Sequence, residues 1–142
     1  MRFYYAVLAA LVSAPVLPAV QVPEESPFVR KVDENQAAID ECIAAMEAVL
    51  TTYEGIQDTS SADAAAARLE GLHRRMEKAV DRVNAIGEAD AATQNLFMTK
   101  LLPMLFVNAA RTKMAVERIQ TNDYYGSVAL RQFMEVTLVP QE

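Results

Sequence analysis

Apolar residues recur at helical spacing through most of the chain, in three long stretches and one short one. In the first stretch, which follows Ser26 and Pro27, apolar residues fill neighbouring rows of a seven-residue repeat, and acidic residues fill the opposite side. The apolar rows are Val32, Ile39, Met46 and Tyr53, then Cys42, Val49 and Ile56, then Ile43 and Leu50, and the acidic residues are Glu34, Asp40, Glu41 and Glu47. This pattern predicts an amphipathic helix of about 28 residues. Ser26 is expected to cap it, with Pro27 at its first position.

The second stretch repeats this spacing after a break at Gly55 and residues 58–61. Its apolar rows are Ala62, Leu69, Met76 and Val83, then Ala65, Leu72, Ala79 and Ile86. We expect Ser60 or Ser61 to cap this helix and Gly87 to end it in a left-handed conformation. Two helices of nearly equal length with a short loop between them predict an antiparallel hairpin.

The third stretch runs from about Asp90 to Thr121 and contains Pro103, which should kink or divide the helix. Its expected inward residues are Phe97, Leu101, Met104, Leu105, Ala115 and Ile119. Because residues 101–110 are apolar around most of the circumference, they are expected to form the most buried part. A last short helix, capped by Ser127 and ending near Val136, is expected to turn inward Leu130, Phe133 and Met134.

Together these stretches predict an all-α protein, an up-down helical bundle of three long helices, the third kinked at Pro103, plus a short C-terminal helix. The bundle domain would span residues 26–136, followed by a frayed tail at 137–142. Low glycine content, four residues in 142, also favours helix over strand.

The first twenty residues have the composition of a secretory signal peptide. Arg2 precedes a long uncharged run, and Pro15 and Pro18 interrupt that run near its small-residue end. We expect cleavage after Ala19, which makes residues 1–19 the signal peptide and 20–25 a linker, and export to the periplasm or extracellular space. The alternative is an uncleaved membrane anchor, because the run approaches the ~20 residues of a span, although prolines oppose a continuous helix.

The net charge of the chain limits which classes of binding partner are expected. The chain has 13 basic and 19 acidic residues, a net charge of −6, and loss of Arg2 with the signal would make it −7. Nucleic acid is therefore not an expected partner, since its binding needs clustered lysine and arginine. Membrane contact is expected only through an uncleaved signal segment.

Cys42 is the single cysteine, so it has no partner for a disulfide within the chain. On the inward row of the first helix it is expected to be a small core residue. The alternative is a disulfide between two chains, which would make a homodimer.

No reaction centre is apparent in the sequence. His73 is the only histidine and lies at the edge of an apolar row, where a structural role is expected. The chain lacks the common nucleophile, phosphate-loop and zinc motifs. We therefore expect no enzymatic activity, no metal and no cofactor. The alternative is a small-ligand carrier that binds haem or copper between helices. The candidate haem ligands are Met46 and His73, and the candidate copper ligands are the six methionines that follow the signal segment: Met46, Met76, Met98, Met104, Met114 and Met134.

Two groups of residues are the candidate contact sites for a protein partner. The first is the basic side of the second helix, and the second is a tyrosine pair between the last two helices; the residues are Arg68, Arg74, Arg75 and Arg82, then Tyr124 and Tyr125. Tyrosine is favoured at interfaces because it adds area with little loss of entropy. The alternatives are a solvated basic face and two tyrosines that cover the end of the bundle.

Two segments also resemble a known set of proteins. The first is residues 56–69, continued by Arg75-Met76, and the second is Arg118-Ile119 followed by residues 122–127 and Leu130. In this order they resemble short exported bacterial helical proteins of unassigned function, over Asp40 to Phe133. The resemblance implies a signal peptide and a helical hairpin, and no catalytic residue. The expected function is a non-enzymatic interaction or structural module of the bacterial envelope.

Overall fold

The computed structural model describes residues 27–86 and 90–138. The α-helices are α1 (Pro27–Glu54), α2 (Thr59–Asn84), α3 (Ala91–Leu96), α4 (Leu102–Thr121) and α5 (Val128–Leu138). A π-helical turn (Phe97–Leu101) joins α3 to α4, and a 3-10 turn (Asp123–Gly126) precedes α5. The predicted all-α class is confirmed, and the described residues contain no strand. The expected signal peptide, its linker and the caps at Ser26 and Gly87 lie outside the described residues.

Helices α1 and α2 form the expected antiparallel hairpin. Glu41, in the middle of α1, forms an ion pair with Arg82 near the end of α2. Tyr53, at the end of α1, forms a hydrogen bond of 3.2 Å with His73, which lies earlier in α2. Later residues of α1 therefore contact earlier residues of α2, so the two helices run in opposite directions.

Helix α4 packs on α1 and runs parallel to it. Lys100, just before α4, lies 3.1 Å from Asp40, and Arg111 lies 2.7 Å from Glu54, further along both helices. Because α2 runs the opposite way, successive long helices alternate in direction, as the predicted up-down bundle requires.

Helix α5 packs on α2 and begins beside the start of that helix. The Ser127 hydroxyl donates to the Asp63 carboxylate at 2.6 Å, and the rings of Phe133 and His73 lie edge to face with centroids 5.2 Å apart. Ser127 also accepts the Leu130 backbone N–H at 3.1 Å, so the predicted cap of the last helix is confirmed. The helix continues through Leu138, two residues past the predicted end, so Thr137 and Leu138 belong to it and not to the tail.

The cap of α2 differs from the prediction. Asp58, not Ser60 or Ser61, is the N-cap residue: its carboxylate accepts the Ser61 backbone N–H at 2.7 Å. The Ser61 hydroxyl in turn accepts the Asp58 backbone N–H at 3.0 Å. This reciprocal pair is a capping box, in which serine takes the third helical position instead of the cap. The hydrogen bonds from Ser61 also lower the pKa of the Asp58 carboxyl.

The third helical stretch is divided, but the break is the π-helical turn (Phe97–Leu101), and Pro103 lies just after it, near the start of α4. Proline has no backbone N–H, so the carbonyl four residues earlier loses its helical donor. In the turn before it, the Leu102 N–H reaches back five residues to the Phe97 carbonyl. One extra residue is therefore accommodated per turn where the regular pattern would fail.

Residues 101–110 are not uniformly buried, contrary to the prediction. Leu101 and Leu105 are 0% and 1% exposed, whereas Phe106 and Val107 are 59% and 51% exposed. Helix α4 contacts the rest of the bundle on one side only, so its apolar circumference exceeds the surface available to cover it.

The buried side of α4 also includes a polar residue that the apolar pattern did not select. Asn108 is fully buried, and neither atom of its side-chain amide has a hydrogen-bond partner among the described residues. Burial of an amide without partners costs about 1–3 kcal/mol. This position is therefore a weak point in an otherwise apolar core.

Arg118 of α4 binds the carboxyl end of α1. One guanidinium nitrogen, Nη2, donates to the carbonyl oxygens of Tyr53, Glu54 and Ile56 at 3.1, 3.0 and 3.2 Å. Tyr53 and Glu54 are the last two residues of α1, and Ile56 follows the helix. A cation at these carbonyls interacts favourably with the negative end of the α1 dipole.

We expect Arg118→Gln to lower the free energy of unfolding by about 1–3 kcal/mol, because a charged donor to three carbonyls is lost. The matched control is Arg111→Gln, which removes an exposed ion pair from the same helix and should cost less than about 1 kcal/mol. Urea denaturation followed by circular dichroism measures both. Equal losses in the two variants would contradict this role of Arg118.

Candidate interaction surfaces

Three of the four predicted arginines share one edge of α2, which we call the basic edge. Arg68, Arg75 and Arg82 are seven residues apart, so each lies about 10.5 Å beyond the last on nearly the same side of the helix. Arg82 forms the ion pair with Glu41 of α1, so this edge follows the side of α2 that adjoins α1. The described residues provide no ion pair for Arg68 or Arg75.

Arg74 lies on a different side of α2. It forms an exposed ion pair with Glu70, one turn earlier, at 3.0 Å. An exposed pair at this spacing contributes only about 0.3–0.5 kcal/mol. Arg74 is therefore a solvated residue apart from the basic edge.

A groove of about 530 Å³ runs between α1 and α2 beside the basic edge. Small residues form most of its wall, and Glu47 and Arg68 are the charged residues in it; the small ones include Ala44, Ala48, Thr51, Gly55, Ala64 and Ala65. Small side chains let the backbone of a docking segment approach closely. This groove was not among the predicted contact sites, although the small residues of α1 recur at intervals of three and four, which marks a continuous face.

The predicted tyrosine pair lies in a left-handed turn. Asp123, Tyr124 and Tyr125 have φ angles of 50°, 54° and 54°. Left-handed backbone costs about 1–2 kcal/mol for each residue with a Cβ, so other contacts must hold the turn. The Thr59 hydroxyl donates to the Tyr125 carbonyl at 2.6 Å, and the guanidinium of Arg131 lies 5.3 Å from the centre of the Tyr124 ring.

The structure does not join the tyrosine pair and the basic edge into one site. Both tyrosines are half-buried against the core at the end of the bundle where α2 begins. Thr59, which contacts their turn, lies nine residues before Arg68, or about 14 Å along the helix. These contacts are explained if the two tyrosines cover the end of the bundle.

Cys42 is fully buried and forms no disulfide. Burial, and to a smaller extent the nearby Glu41 carboxylate, raise the pKa of its thiol to about 11. The thiol is therefore protonated at neutral pH, and a disulfide to another chain would require the core to open. The core position agrees with the first of the two expectations for this residue.

His73 lies in the seam between α1, α2 and α5. Its Nε2 atom shares the hydrogen bond with the Tyr53 hydroxyl, and the Phe133 ring packs against its edge. Burial lowers the pKa of the imidazole to about 4, so it is neutral at pH 7.

The two candidate haem ligands already have other contacts in the bundle. Met46 is 2% exposed within the core, and Nε2 of His73 is already engaged by Tyr53. Within residues 27–86 and 90–138, no three histidine, cysteine or acidic side chains are grouped as metal ligands.

A second surface, which was not among the predicted contact sites, lies on the outer side of α4. Apolar and small residues recur there every three or four positions, and all are exposed; they are Pro103, Phe106, Val107, Ala110 and Met114. We call this set the α4 stripe. The signal that predicts it is the apolar character of residues 101–110 around most of the helix circumference, which is wider than the inward stripe of a surface helix.

Comparison of the chain with protein-family models, curated proteins and solved structures finds no match to any of them. None of the helices in the described part of the chain has the length and apolar character of a membrane span.

Proposed function

We propose that the protein is an exported, non-enzymatic interaction module of the bacterial envelope. The observation that carries this proposal is the placement of its reactive groups. Cys42 is fully buried and His73 is half-buried in the seam, and burial moves the pKa of each away from neutrality, to about 11 and about 4. Nucleophiles and general bases instead work with a pKa near the ambient pH.

Export is the second part of the proposal and is supported by the composition of residues 1–20. A basic start, an apolar middle and a small-residue end are typical of a signal peptide. The mass of the protein that accumulates outside the cytoplasm gives the number of residues removed.

The surface best suited to a partner protein is the basic edge with the adjoining groove. Arg68 belongs to both, so a docked segment can fill the small-residue wall and place a carboxylate beside the guanidinium. Arg75 extends the same edge by one further step of about 10.5 Å. A partner helix with an acidic side and small contact residues matches this surface.

The proposal is tested by crosslinking in intact cells, followed by capture of the protein and identification of what is attached. The test variant is Arg68→Glu with Arg75→Glu, which reverses the charge of the basic edge. The matched control is Arg74→Glu, a charge reversal of the same kind on a different side of α2. We expect the double variant to lose the crosslinked partner and the control to retain it.

Unchanged crosslinks in the double variant would remove the basic edge from the proposal. Retention of the protein in the cytoplasm would overturn the export step. Substrate turnover by the purified protein alone would overturn the non-enzymatic assignment.

A further inference from the structure

The α4 stripe exposes more apolar surface than its neighbours on the bundle. Phe106, Val107 and Met114 are 59%, 51% and 69% exposed, and Met98 in the preceding turn is 61% exposed. Together these four side chains present on the order of 400 Å² of apolar area. The largest apolar patch on a monomeric protein is typically about 300–600 Å² and is often a contact surface.

The order of side chains along the stripe is self-complementary. Ala110 lies at its centre, Phe106 lies four residues before it and Met114 lies four residues after it. In an antiparallel pair of α4 helices that cross at Ala110, Phe106 of each copy lies opposite Met114 of the other. The small residue permits close approach of the backbones, and methionine sulfur packs favourably against an aromatic ring.

The charges that border the stripe are balanced. Lys100 pairs with Asp40 at 3.1 Å, on the border that faces α1. On the same border Arg111 binds Glu54 through two nitrogens, at 2.7 and 3.0 Å.

The opposite border is balanced in the same way by an ion pair within α4. Lys113 and Glu117 lie 3.8 Å apart, one turn from each other. The chain as a whole has a net charge of −6, which opposes association of two copies. Along this face the repulsion is absent, so a second copy can approach.

We propose that the protein forms a two-fold symmetric homodimer in which the α4 stripes of two copies pack against each other. The same patch serves on both sides, so the contact closes after two copies. Two stripes and their charged borders would bury about 1,000–1,200 Å², at the low end of specific interfaces, so the dimer is weak and depends on concentration. This proposal uses a surface separate from the basic edge and does not depend on it.

The test is sedimentation equilibrium of the full protein, purified in the form that accumulates in its own cells. The concentrations should range from about 1 to 500 μM. The wild type should change from monomer to dimer within this range. Phe106→Glu with Met114→Glu should weaken association at least about tenfold and leave a monomer throughout. Both substituted positions are exposed, so far-UV circular dichroism should show an unchanged helix content.

The matched control places the same charges on another exposed apolar pair. Val128 and Val136 of α5 are 67% and 72% exposed. The variant Val128→Glu with Val136→Glu should dimerise more strongly than the α4 variant, because only its added negative charge weakens association. Dimerisation that is equally weak in the two variants would assign the effect to net charge and overturn the proposal.

A wild-type monomer at every concentration would also overturn it, whether residues 1–26 or another protein covers the stripe. Monomer that instead cosediments with vesicles of phosphatidylglycerol and phosphatidylethanolamine would identify the stripe as a membrane contact. Dimers that persist in the α4 variant would place the interface elsewhere.

Discussion

Leu105→Ala is expected to lower the free energy of unfolding by about 2–5 kcal/mol, whereas Phe106→Ala should change it by less than about 1 kcal/mol. The two residues are neighbours in α4 and are 1% and 59% exposed. Truncation of Leu105 removes buried methyl groups and leaves a cavity that the packed core fills only in part. Truncation of Phe106 removes a side chain that the monomer leaves mostly in water.

Urea denaturation of both variants at a concentration well below that of any dimer gives this comparison. It tests the rotation of α4 about its own axis, which the π-helical turn before it sets. A larger loss for Phe106→Ala than for Leu105→Ala would show that α4 presents the opposite side to the core.

The sequence predicts the lengths of the first two helices because apolar residues are confined to one side of each. Helix α1 has the 28 residues predicted, and each helix ends two residues before the last residue of its seven-residue rows, at Glu54 and Asn84. A one-sided pattern has a single orientation that buries its apolar residues, so the same rows also predict the hairpin.

The orientation of α4 could not be predicted in this way. Between Leu101 and Ala110 apolar residues occupy nearly every side, so the pattern does not define which side is inward. The structure buries Asn108 and exposes Phe106, against the hydropathy of both residues. That choice follows from the extra residue in the π-helical turn and from the contacts of Arg118, which are tertiary and leave no local signal.

Two local details could not be predicted from the sequence for a different reason. Asp58, Ser60 and Ser61 are all good helix caps, and the choice among them depends on the reciprocal bond with a serine at the third helical position. The left-handed φ angles of Tyr124 and Tyr125 contradict the usual preference of residues with a Cβ, and the hydroxyl of Thr59, 66 residues away from Tyr125, helps to hold them.

The candidate contact residues were predicted by charge but not by geometry. The sequence grouped four arginines of α2, and their spacing separates Arg74 from the other three only once the inward side of the helix is known. The groove beside Arg68 needs both helices of the hairpin. It could therefore not be predicted from either helix alone.

Acidification should destabilise the protein through His73 between pH 6.5 and pH 4. The imidazole has a pKa of about 4 in the folded chain, because burial opposes its charged form, against 6.5 in the unfolded chain. At pH 7 the imidazole is largely neutral in both states, so its protonation hardly changes the free energy of unfolding. As the pH falls below 6.5, the unfolded state binds a proton that the folded state does not, so unfolding becomes easier.

The expected slope is up to about 1.4 kcal/mol per pH unit, and the total loss by pH 4 is about 2–3 kcal/mol after allowance for the partial exposure of the ring. The measurement is the free energy of unfolding in urea at a series of pH values. Acidic side chains also titrate at the low end of this range, so the informative quantity is the difference from His73→Gln.

Glutamine is a suitable replacement because it stays uncharged throughout the range and retains a polar atom for the Tyr53 hydroxyl. The variant should show a flatter pH profile between pH 6.5 and pH 4, and its curve should approach that of the wild type from below as the pH falls. An NMR titration of the single imidazole gives the folded pKa directly. Parallel stability curves for the two proteins, or an imidazole that titrates near 6.5, would show that the ring reaches water and does not belong to the seam.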